Sequence, residues 1–93
     1  MSIGLRAAAL RLPASAREIE NLIMRDESFR SICDDLAAAE NALSHVDQMP
    51  EALRGERRRE YESLVESLTA EIEEALRRAK VVPITGAKRA PQA

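Results

Sequence analysis

Few side chains in this 93-residue chain have the means to do chemistry: one cysteine, one histidine and a run of arginines. Cys33 stands among apolar neighbours at a helical position, and Asp34 and Asp35 follow it directly. A reactive thiol needs a cationic setting that favours the thiolate, and two adjacent carboxylates oppose it. Cys33 therefore reads as a small buried hydrophobe. His45 lacks the company a metal ligand requires. Glu40 and Asp47 are not three or four residues from it, and the Glu-x-x-His pairs of di-metal bundles are absent. As a general base it has no nucleophile at a recognisable spacing. Gly4, Gly55 and Gly86 are isolated, so no glycine-rich phosphate loop is present. The expectation is a protein that is not an enzyme and holds no cofactor or metal.

The arginines are the one cluster with a plausible ligand. Arg54, Arg57, Arg58 and Arg59, with Gly55 and Glu56 between them, could contact phosphates or an acidic partner. Against this, Glu56, Glu60 and Glu62 interleave with the bases, and no aromatic platform accompanies them. The wider charge pattern agrees. Net charge is −2; residues 1–14 and 81–93 each carry +2, residues 15–47 carry three bases against eight acids, and residues 48–80 seven against eight. An acidic body repels a phosphate backbone over most of its surface, which makes nucleic acid the weakest of the partner readings.

What must position any surface is helical. Strand-forming residues are scarce and aromatic content is 2%, so the predicted fold class is all-α with an elongated Leu/Ile/Ala interface in place of a broad core. Leu22, Phe29, Leu36 and Leu43 recur every seven residues; Arg25, Ile32, Ala39 and Val46 do the same three residues on. That alternation of three and four is the stripe a helix turns to a neighbour. Ser15 with Glu18 makes a capping-box start, and Asp47 to Pro50 closes the first helix, predicted over 15–47. Asp26, a good N-cap beside the seam's one charged residue, marks a place for a break. After a connection over 48–55, a second helix is predicted over 56–81, with Tyr61, Val65, Leu68, Ile72, Ala75, Ala79 and Val82 as its seam. Residues 1–14 read as a frayed or docking arm, and 83–93 as a disordered tail.

Two such helices fold back as an antiparallel, coiled-coil-like hairpin. A tight turn at Pro50 sets Leu36 on Tyr61 and Phe29 on Leu68. A longer connection slides the register by one heptad, sets Leu43 on Tyr61, Leu36 on Leu68 and Phe29 on Ala75, and buries more apolar surface. Beside the seam, Ile19, Ile23, Cys33, Leu64 and Leu76 widen the apolar arc beyond what one helix can cover. The missing cover could be a second copy completing a four-helix bundle, the N-terminal arm, or another protein. Homodimerisation is the expectation taken forward; an adaptor using the stripe around Ile19, Ile23, Leu64 and Leu76 is the alternative.

Asp26-Glu27-Ser28-Phe29-Arg30, then Ile32-Cys33 and Asp35, and later Glu60-Tyr61 with Leu64-Val65, resemble short bacterial helical-hairpin proteins of uncharacterised function, over roughly residues 18–79. The resemblance implies a hairpin and a bacterial cytoplasm, and transfers no functional residue. A lone cysteine fits the same reducing compartment, no apolar run is long enough to span a membrane, and residues 3–12 do not make a signal peptide.

Overall fold

The computed structural model describes residues 3–88, and the side chains of residues 3–80. Four α-helices and two 3-10 turns, with no strand, make up the described residues. They are α1 (Ile3–Arg11), α2 (Ala16–Arg25), α3 (Glu27–Ser44) and α4 (Glu51–Lys88), with 3-10 turns at Pro13–Ser15 and Val46–Gln48. The all-α class holds.

The boundaries differ from the expected ones for local reasons. The stretch 15–47 is two helices, broken at Asp26. That residue takes an extended backbone (φ −133°, ψ 105°), and its carboxylate accepts the Phe29 amide at 3.1 Å, which starts α3 afresh. The capping box at Ser15 does not form. Ser15 lies at the end of the 3-10 turn with φ −108° and ψ 14°, and its side chain makes no cap bond. The connection is shorter than 48–55. Pro50 supplies the first carbonyl of the new helix to Leu53 at 2.9 Å, and α4 runs from Glu51 straight through Gly55. At its far end α4 continues past Pro83 to Lys88, where the sequence predicts a stop at 81 and a loose tail. A proline there removes the N–H that would serve the Ala79 carbonyl, a cost of about 3 kcal/mol. Residues 89–93 of the expected tail lie outside the described residues.

α4 packs along α3. Arg58 pairs with Asp47 at 2.8 Å near the bend, and Ala75 shares a groove with Ser28 at the start of α3. The core holds Phe29, Cys33 and Leu36 of α3 with Val65, Leu68, Ile72 and Leu76 of α4, and Ile19, Leu22 and Ile23 of α2 complete it. Val46, fully buried, tucks its 3-10 turn under the bend. No polar or charged residue is buried among the described residues. Hydrophobic burial and shape therefore organise the interior, and the polar contacts act at its edges.

The N-terminal arm is a docked helix. α1 lies along α3 through its smallest residues, Gly4, Ala7 and Ala8, all buried. The fit at Gly4 is close: a Cβ there would lie 2.7 Å from both the Asp34 amide nitrogen and the Cys33 carbonyl carbon. Only glycine allows that approach. At the other end of α1, Arg11 pairs with Glu40 of α3.

Candidate interaction face

The residues that might have done chemistry are committed elsewhere. Cys33 is fully buried, and its thiol is pushed up from 9.0 to about 11, first by burial and then by the negative charge of Asp34. His45 caps α3. Its Nδ1 donates to the Asn41 carbonyl at 2.7 Å, and its backbone amide returns to Ala42 at 3.1 Å. No group of three or more metal-ligating side chains occurs among the described residues. No helix there is long and apolar enough to cross a membrane.

The arginine cluster is largely spent on the bend. Arg54 Nε donates to the Met49 carbonyl at 2.8 Å, Arg57 pairs with Glu60 at 2.7 Å, and Arg58 reaches Asp47 at 2.8 Å. The hydrogen bond and charge of Glu60 hold the Arg57 guanidinium above its ordinary range. Arg59 alone of the four has no such partner among the described residues. One uncommitted arginine is a weak attraction for a phosphate backbone.

The predicted seam divides by exposure. Ile19, Leu22, Ile23, Phe29, Leu36, Val65, Leu68, Ile72 and Leu76 are buried within the single chain, and Ile32, Leu43 and Tyr61 are half-buried. This corrects the argument for an open stripe around Ile19, Ile23, Leu64 and Leu76. Three of those four are covered by the chain itself, because the Asp26 break swings α2 against α3 and α4 and lets α1 close over α3. Only Leu64, 46% exposed, remains on the surface.

The large apolar side chains left most open lie elsewhere. Met24 is 81% exposed, Ile3 75% and Leu10 73%. Ile3 and Leu10 are seven residues apart, so they share the outer face of α1; Arg17, Glu20 and Met24 follow the spacing of three and four on the outer face of α2. Between these faces runs a groove of about 400 Å³, lined by Leu5, Ala9 and Leu10 of α1 and Ala16, Arg17 and Glu20 of α2. Arg6 of α1 also lines it. Arg6, Arg17 and Glu20 form no ion pair with any described residue, so both signs of charge are available beside the apolar floor. Sequence reasoning missed this face because it searched for long apolar stripes. The available signal was the seven-residue spacing of Ile3 and Leu10. Comparison with known protein families, with curated protein sequences and with solved structures finds no match to this chain.

Proposed function

We propose that this chain is a noncatalytic protein-interaction module that associates with a second copy of itself through the outer face of α1 and α2. The α3–α4 pair is the antiparallel frame that holds this face in place. The observation that carries the reading is the concentration of Ile3, Leu10 and Met24, the three most exposed large apolar side chains among the described residues, on the two N-terminal helices. Apolar area of that kind, edged by charge, marks association surfaces. A second copy suits it because the groove brings its own counter-charges. A two-fold axis that sets the groove on its mate can place Arg6 or Arg17 of one copy near Glu20 of the other, and a self-complementary patch is what such an axis requires. The single, buried, reduced Cys33 fits assembly in a reducing cytoplasm.

Sedimentation equilibrium at micromolar concentration tests this reading. The expected mass is twice that of the chain, and L10E with M24E should return it to that of one chain with helical circular dichroism unchanged. A wild-type monomer that melts cooperatively, or a dimer indifferent to both substitutions, overturns it.

A further inference from the structure

We infer that two copies pair through α2 running antiparallel to α2 of its mate, with Arg17 of each copy on Glu20 of the other. The inference rests on the self-association reading and adds to it an orientation, a register and the charges that select them. It starts from one stripe. Pro13, Arg17, Glu20 and Met24 follow at intervals of four, three and four, so they lie along one side of α2 and the turn that leads into it. All four are exposed, whereas Ile19, Leu22 and Ile23 are turned inward. Glu18 and Arg25, the other charged residues of α2, fall off this line.

The stripe runs apolar, positive, negative, apolar, and its spacing is the same from either end. A two-fold axis reverses one copy against the other, so that a residue and its counterpart meet twice, once on each side of the axis. With the axis between Arg17 and Glu20, Arg17 meets Glu20 at both crossings. Met24 then meets the ring of Pro13, next to the exposed Leu10. The same stripe pairs badly in parallel. Arg17 would meet Arg17 and Glu20 would meet Glu20, and opposed like charges disfavour that arrangement. Neither residue enters an ion pair with a described residue of its own chain, so no internal pair breaks when the copies meet. Both also line the groove that carries the face from α2 onto α1.

Charge-reversed full chains, weighed by sedimentation equilibrium and native mass spectrometry, test the inference. R17E sets acid on acid at both crossings and E20R sets base on base. Each variant alone is expected to dimerise about tenfold more weakly than wild type at low salt, with helical circular dichroism unchanged. Mixed in equal amounts, the two variants restore both opposite-charge crossings, and heterodimer should exceed the homodimers together by about tenfold. The doubly reversed R17E/E20R should dimerise within about threefold of wild type, and salt at about 1 M should shrink all of these differences. Suppose wild type dimerises and L10E with M24E breaks the dimer, yet R17E and E20R chains show no preference for each other. That result overturns the antiparallel register and leaves self-association standing. A wild-type monomer overturns both.

Discussion

A methyl group added at Gly55 would meet only the tip of Arg59, at 3.8 Å, whereas one added at Gly4 would press on the backbone of α3. G55A is therefore expected to stabilise the fold by about 0.5–1 kcal/mol, because alanine loses less backbone freedom inside a helix. That is a rise of several degrees in melting temperature for a domain of this size. G4A is expected to loosen α1. A lowered melting temperature for G55A would show that α4 does not pass through that residue as a regular helix. Asp26 is the other backbone-setting residue, since its carboxylate holds the Phe29 amide. D26A is expected to cost about 1 kcal/mol by chemical denaturation, and D26N or D26S much less. Cys33 adds a pH dependence. Its thiol ionises near 9.0 when freely solvated and near 11 in the fold, so the unfolded chain gives up its proton first. The stabilisation is complete below pH 9 and is lost as pH rises toward 11. The stability difference between wild type and C33A should fall over that interval. A difference that stays level from pH 8 to 11 would show the thiol to be solvated in the fold.

The elements differ in how openly the sequence declares them. Leu22, Phe29, Leu36 and Leu43 announce a helical face because large side chains at regular spacing are what periodicity detects. Three of these four helical positions are buried and the fourth half-buried. The break at Asp26 was legible as an N-cap. The docking of α1 was not, because its contact face is glycine and alanine, residues that carry almost no periodic signal and matter only through how closely two backbones approach. The bend was half legible. Pro50 marks the start of α4, but Gly55 suggests a break that the helix passes straight through. Side chains at the two kinds of position should respond very differently. F29A removes the largest fully buried side chain and is expected to cost 3–5 kcal/mol in equilibrium unfolding. L64A, on the exposed face of α4, is expected to stay within about 0.5 kcal/mol of wild type. Comparable losses at both sites would mean that Leu64 is covered in solution, and would move the proposed association face onto α4.

At the scale of the whole molecule, the 38 residues of α4 at ~1.5 Å each extend about 57 Å, most of the 62 Å long dimension. α3, with 18 residues, covers less than half of it, and α1 and α2 gather on the α3 side of the frame. Little of the exposed apolar face of α1 and α2 could be read from sequence, since it arises where two short helices meet in space. One property of the packing reaches furthest. With no polar or charged residue buried among the described residues, the α3–α4 core demands no particular atom at a particular place. Cores of this kind accept exchange among Leu, Ile, Val and Met so long as volume and pattern persist. A library randomised among those four at Leu36, Val65, Leu68 and Ile72 is expected to yield many folded members. Over evolutionary time the same tolerance lets descendants of such a chain keep its shape while their letters drift apart, so that kinship survives in Gly4, in Asp26 and in the lengths of the helices longer than in the core.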